Sequence, residues 1–277
     1  MILVNGENAN QLSALDRGLH YGDGLFETIA MKNGRPCFWE RHMDRLRWGC
    51  ERLKFPAPDE SLLFDESIKV AGGQLQAVLK IIITRGQGER GFRFPKQQDS
   101  TKVTRVVMRL PATSYPEEYH NDGITVRLCE TRLSSNVILA GVKHLNRLEQ
   151  VMARSEWDAP DIVEGLMLNE AGHLIEGTMS NIFIAKDGCL NTPDLSSSGV
   201  SGVMRGVIID MADRLDIPLK ISTLDLEDIR DADEVFITNS LIGVWAVRHF
   251  QEINFPYGTI TTRIRNELGK YTLDVPF

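Results

Sequence analysis

A single lysine, set where an apolar run meets a helical pattern, constrains this chain more than any other feature. The stretch Gly141-Val-Lys-His-Leu-Asn-Arg-Leu-Glu-Gln150 ends the apolar approach that runs from Val137 to Val142. Behind it Leu148, Val151 and Met152 repeat at helical spacing, with Asn146 placed as N-cap. The pattern predicts a strand-to-helix corner at Lys143. A lysine held beside apolar side chains at such a corner is partly desolvated, which disfavours its ammonium form. The free amine is then a nucleophile able to form a Schiff base with a carbonyl compound. A solvated surface lysine near a helix start would look the same, so the rest of the chain has to decide.

Two further segments bear on it. Glu176-Gly-Thr-Met-Ser-Asn181 is a polar turn between apolar strands, with a carboxylate at its first position. Ser201-Gly-Val-Met-Arg205 opens an apolar-periodic helix through Val203, Val207, Ile208, Met211 and Leu215, whose free N–H groups suit a phosphate. A pyridoxal cofactor needs a lysine, an anion against its ring nitrogen and a phosphate cradle. Lys143 and Glu176 supply the first two. The backbone of Val203 and Met204 starts the cradle, and Arg45 with the tripeptide Thr238-Asn239-Ser240 completes it.

The 277 residues suffice for one large domain or two small ones, and 42% hydrophobic content is that of a globular protein. No apolar run approaches the roughly 18 residues of a membrane span, and Met1-Ile-Leu-Val-Asn-Gly lacks the basic start of a signal peptide. Cys37, Cys50, Cys129 and Cys189 are scattered, with no Cys-x-x-Cys pair, so no metal is expected and reduced thiols in the cytoplasm are the simplest account. A net charge of −7 argues against nucleic acid as partner, but not against a small anionic substrate met by local arginines.

The N-terminal part reads as alternating strands and helices, an α/β arrangement. Met43, Leu46, Cys50 and Leu53 predict a helix over Trp39 to Leu53; a second starts after Asp59 and stops at Gly72-Gly73. Leu79 to Thr84 and Val103 to Leu110 read as strands. Pro111 to Pro116 and the polar Glu117 to Gly123 read as an interdomain connection. The second part opens with a strand from Ile124 to Cys129. Hairpins are expected at Asn169-Glu-Ala-Gly172 and Asp187-Gly188, and a closing helix carries Ile260, Ile264, Leu268 and Tyr271. The division is 1–113, a linker at 114–121, and 122–277.

The ordered set Asp16-Arg-Gly-Leu-His-Tyr-Gly-Asp-Gly-Leu-Phe-Glu27, Arg41-His-Met-Asp-Arg-Leu46, Lys143, Glu176 to Asn181, Gly202 to Arg205 and Asp233-Glu-Val-Phe236 resembles the pyridoxal-phosphate enzymes of fold type IV. That group holds branched-chain aminotransferases, D-amino-acid aminotransferases and aminodeoxychorismate lyases, and the resemblance covers nearly the whole chain. It implies a smaller N-terminal α/β domain, a larger C-terminal domain, pyridoxal 5'-phosphate between them, and a homodimer. Lys143-His-Leu-Asn-Arg-Leu-Glu-Gln-Val151 and Arg85-Gly-Gln-Gly-Glu-Arg-Gly91 are most similar to the lyase branch. This implies 4-amino-4-deoxychorismate as substrate, with 4-aminobenzoate and pyruvate as products and Lys143 as base. Transamination of D- or branched-chain amino acids is the alternative.

Gly86-Gln-Gly-Glu-Arg-Gly91 fits the dinucleotide fingerprint, but Phe92-Arg-Phe-Pro95 follows where that fingerprint demands a helix, so nicotinamide binding is rejected. The segment is either a basic loop or the place where Arg85 and Arg90 meet substrate carboxylates. By the resemblance Arg45 contacts the cofactor phosphate, Ser240 stands at a phosphate-bonding hydroxyl position, and Tyr21 lines the pocket. Met204 stands where the aminotransferases carry threonine, which removes a hydroxyl and leaves the backbone N–H groups. His42 reads as a packed or helix-stabilising histidine.

Overall fold

The computed structural model describes residues 1–95, 103–112 and 114–274, with side chains as far as residue 270; the side chain of Tyr271 and the linker residue Thr113 lie outside the described residues. The chain divides into two compact units. One is Met1–Ser114 with Val142–Asn146, the other Tyr115–Gly141 with Arg147–Phe277.

The first unit is built on an antiparallel sheet in the order Glu7–Asn8, Ile2–Val4, Thr104–Leu110, Ala77–Thr84, Gly24–Lys32, Arg35–Pro36. Side chains alternate along Gly24–Lys32, so Leu25, Ile29 and Met31 face the core. The same register puts Glu27 on that buried face. The helix Trp39–Leu53 packs on this strand and buries Trp39, His42, Met43, Leu46 and Cys50, a stripe at spacings of three and four. Each large apolar side chain so buried contributes roughly 1.5–3 kcal/mol. The helix Glu60–Ala71 is capped as the sequence predicts: Asp59 accepts from the Leu62 N–H, and Gly72 takes the left-handed conformation at the far end.

The second unit holds a larger sheet in the order Leu219–Ser222, Cys189–Pro193, Asn181–Lys186, Glu234–Asn239, Gly243–Phe250, Ile124–Leu128, Ile162–Leu168, Leu174–Gly177, with Ile253–Asn254 on Gly243–Phe250. Three pairings are parallel, and the rest are antiparallel. Asp187 and Gly188, both at positive φ, make the tight hairpin expected of that dipeptide. Helices Val203–Arg214 and Thr259–Asp274 complete the unit, and Glu234 caps the second through the Ile260 and Thr261 N–H groups. Among the described residues no helix is long and apolar enough to cross a membrane, and no group of His, Cys, Asp or Glu is placed to hold a metal.

The structure corrects the sequence reading around Lys143. No strand leads into it; Val137 and Ile138 are largely exposed in a loop. Asn146 does not cap the helix Leu148–Arg154, whose N-cap is Arg147 with no side-chain bond. Its amide instead donates to the Gly22 carbonyl at 3.1 Å. Leu148, Val151 and Met152 are 77%, 59% and 57% exposed, so helical spacing here marks a surface face rather than a core stripe. Residues Val142–Asn146 belong to the first unit because their backbone pairs with Gly24–Phe26. The polar stretch read as pure connection contains the short helix Glu117–Asn121.

Candidate active site

In the first unit Lys143 is fixed by its backbone. Its carbonyl accepts from the Phe26 N–H at 3.1 Å, and the Leu145 N–H donates to the Gly24 carbonyl at 3.0 Å. Gly24 permits this approach and the pairing with Ala77–Thr84 together: a Cβ there would lie 2.9 Å from Leu145 Cδ1 and 2.4 Å from the Ile83 carbonyl oxygen. The Lys143 Nζ sits 4.2 Å from the centroid of the Phe26 ring, half-buried against an aromatic face.

Below Phe26 in the strand, Glu27 is 1% exposed and accepts three hydrogen bonds. Arg45 Nε reaches Oε1 at 2.9 Å; Arg45 Nη2, at 2.5 Å, and His42 Nδ1, at 2.6 Å, share Oε2. Burial pushes the Glu27 carboxyl up, but Arg45 and His42 outweigh it and hold its pKa at about 2. His42 is fully buried, and burial, aided by the charges of Arg45 and Lys143, lowers its pKa against the pull of Glu27. Among the described residues its Nε2 finds no hydrogen-bond partner, as fits a neutral ring donating from Nδ1.

Arg17 Nε and Arg85 Nε both donate to Asp23 Oδ2 at 2.8 Å. Arg85 also donates to the Leu53 and Lys54 carbonyls and lies 4.0 Å over the Phe94 ring. These bonds fix the Arg85 guanidinium against the scaffold of the first unit. Tyr21 and Arg17 fasten the following loop at Gly91: the Tyr21 hydroxyl accepts from its N–H at 3.2 Å, and Arg17 Nη1 donates to its carbonyl at 3.0 Å. Arg90, the neighbouring residue, is exposed.

In the second unit Glu176 is 4% exposed. Its Oε2 accepts from the Val200 N–H at 2.7 Å and its Oε1 from Gln150 Nε2 at 3.2 Å. Burial lowers the pKa of Arg147, against which Glu176 acts. The turn that follows is organised by a carboxylate the sequence reading missed. Glu164, 1% exposed, accepts from the N–H groups of Gly165, Thr178 and Met179 and from the hydroxyls of Thr178 and Ser180. Its signal was available: a lone acid inside the apolar strand Ile162–Leu168. Glu27 likewise was legible as the acid sharing a register with Leu25, Ile29 and Met31.

The helix Val203–Arg214 begins at Gly202 with no side-chain cap, so its first N–H groups, those of Val203 and Met204 among them, stand ready for an anion. Gly202 is required here, since a Cβ would fall 1.9 Å from Asn181 Oδ1. Arg205 turns away, into the sheet, donating to Thr192 Oγ1 and the Pro193 carbonyl. The Asn239 side chain accepts from the Leu241 and Ile242 N–H groups and donates to the Met179 carbonyl. Ser240 beside it is half-buried. Each unit by itself carries groups of the kind pyridoxal phosphate uses: the first an amine on an aromatic face, the second a buried carboxylate and an uncapped helix start.

The sequence matches the family described as amino-transferase class IV over residues 24–250. It is 35% identical to the aminodeoxychorismate lyase of Vibrio harveyi, over 97% of this chain and 100% of that protein. The crystal structure of 4-amino-4-deoxychorismate lyase from Pseudomonas aeruginosa superposes with a TM-score of 0.93 at 41% identity, covering 99% of this chain and 100% of that one. The branched-chain amino acid aminotransferase of Escherichia coli reaches 0.86 at 26% identity, over 99% and 95%. Matched across most of its length and spanning these relatives end to end, the chain belongs to the class IV aminotransferase family.

Proposed function

We propose that this protein is a pyridoxal-phosphate-dependent lyase that converts 4-amino-4-deoxychorismate to 4-aminobenzoate and pyruvate, a step toward folate. The observation that carries the reading is full-length likeness to two lyases, at 35% and 41% identity, with Lys143 and Glu176 both present. When bound, pyridoxal phosphate supplies an electron sink for the carbanion at the substrate's amine-bearing carbon. Lys143 provides the amine for covalent attachment of the cofactor. Glu176 holds a proton on the ring nitrogen. Arg45, Ser240, Asn239 and the N–H groups of Val203 and Met204 hold the phosphate. Arg90 meets a substrate carboxylate, and Tyr21 bounds the pocket.

Proton movement falls to one atom. Lys143 Nζ takes the C4 proton of the substrate, the ring C–O bond to the enolpyruvyl group breaks, and the ring becomes aromatic. The same Nζ then returns a proton to the methylene carbon of the departing enolpyruvate, which yields pyruvate. The test is product release from cofactor-loaded protein given aminodeoxychorismate: 4-aminobenzoate and pyruvate are expected in equal amounts. Absence of aromatic product, with conversion of the cofactor to its amine form by D-alanine or leucine, would replace the lyase by an aminotransferase.

The protein acts as a homodimer in this reading. Leu148, Val151 and Met152 form an exposed apolar face on one short helix, which association would remove from water. Sedimentation should give a dimer for the wild type and a monomer for Leu148→Glu/Met152→Glu; a dimer in both would exclude this face. The free cysteines Cys37, Cys50, Cys129 and Cys189 fit a reducing compartment, the cytoplasm.

A further inference from the structure

We propose that Glu27 is a positioning residue for the cofactor: it sets Arg45 to receive the phosphate of pyridoxal phosphate. This rests on the assignment of Arg45 to the phosphate made above. A free arginine side chain spreads over many rotamers, and a phosphate contact is weak while that freedom remains. Glu27 removes it. Arg45 and His42 lie three apart on the helix Trp39–Leu53, so both reach the same carboxylate on the strand Gly24–Lys32. The fork formed by Arg45 Nε and Nη2 on the two carboxylate oxygens fixes the plane of the guanidinium as well as its position. His42, donating to Oε2 at 2.6 Å, stops the carboxylate from rotating in turn.

Stability alone does not explain this arrangement. A buried ion pair repays its desolvation poorly, and apolar residues of like volume usually serve as well. Here an acid stands in register with Leu25, Ile29 and Met31, at a position where the core would take an aliphatic side chain. What the acid adds is orientation of one cation.

The test compares pyridoxal phosphate with pyridoxal, which lacks only the phosphate. Each is titrated into apoprotein and followed by cofactor absorbance. In Glu27→Gln an amide N–H replaces one acceptor and faces the Arg45 or His42 donors, so the fork is lost. Its dissociation constant for pyridoxal phosphate should rise roughly tenfold or more, while that for pyridoxal stays within about threefold. Glu27→Asp keeps the buried charge but withdraws it by one methylene, and covers the case in which the glutamine variant does not fold. It should show the same selective loss. With Arg45→Ala as background, Glu27→Asp should cost nothing further, because the two act as one unit.

Equal weakening of both ligands would make Glu27 merely structural and overturn the proposal. Selective loss in Arg45→Ala with none in either Glu27 variant would overturn it too, leaving Arg45 at the phosphate. No selective loss in Arg45→Ala would remove the underlying assignment instead, and no binding by the wild type would remove the cofactor itself.

Discussion

Replacing Lys143 with alanine is expected to stop release of 4-aminobenzoate, lowering turnover by roughly a thousandfold or more, since both nucleophile and general base are lost. The fold should survive. Lys143 is half-buried, its Nζ rests on the Phe26 ring, and an exposed cation–π contact is worth only about 0.5–1 kcal/mol. Its backbone bonds to Gly24 and Phe26 do not depend on its side chain. Lys143→Arg sharpens the test, because it keeps the charge and the ring contact yet cannot deprotonate. It should be as inactive as the alanine variant. Borohydride treatment of wild-type protein loaded with cofactor should leave a stable adduct on the peptide containing Lys143, and on no other. Turnover within tenfold of wild type in either variant would remove Lys143 from the mechanism.

The parts of this protein legible in its sequence were those set by local rules. Trp39–Leu53 and Glu60–Ala71 follow from apolar spacing and from Asp59 and Gly72 at the ends. The Asp187-Gly188 turn follows from the left-handed conformation those residues tolerate. The helix start at Val203 follows from the apolar period behind it, and the chemistry read onto Lys143 and Glu176 is what the experiments proposed above test. What failed depended on distant pairing. Leu148, Val151 and Met152 repeat as a core face does, and spacing cannot say which side faces solvent. Asn146 has the chemistry of a cap but bonds to Gly22, more than a hundred residues away in sequence. The bond between Arg85 and Asp23 joins residues 62 apart in sequence, and no local pattern announces it. Glu27 and Glu164 were passed over for the opposite reason: an acid in a strand draws notice only once the strand is known to be buried.

Glu164→Ala should lower stability by about 2 kcal/mol. Its carboxylate gathers five donors from residues 165–180, and truncation takes the side-chain acceptor from the buried Gly165 N–H, whereas the Thr178 N–H keeps its bond to the Gly165 carbonyl and Met179 lies at the surface. Each buried donor left unsatisfied costs about 1–3 kcal/mol, while the Thr178 and Ser180 hydroxyls can rotate to recover part of the loss. Glu164→Gln keeps the shape and one acceptor, so it should cost about half as much. Urea denaturation measures both. Because the turn begins at Glu176, cofactor retention should fall along with stability in Glu164→Ala, whereas Glu176→Gln should lose turnover with its denaturation midpoint nearly unchanged. A Glu164→Ala protein of wild-type stability would show that the turn between Glu176 and Asn181 holds its shape without the acid beneath it.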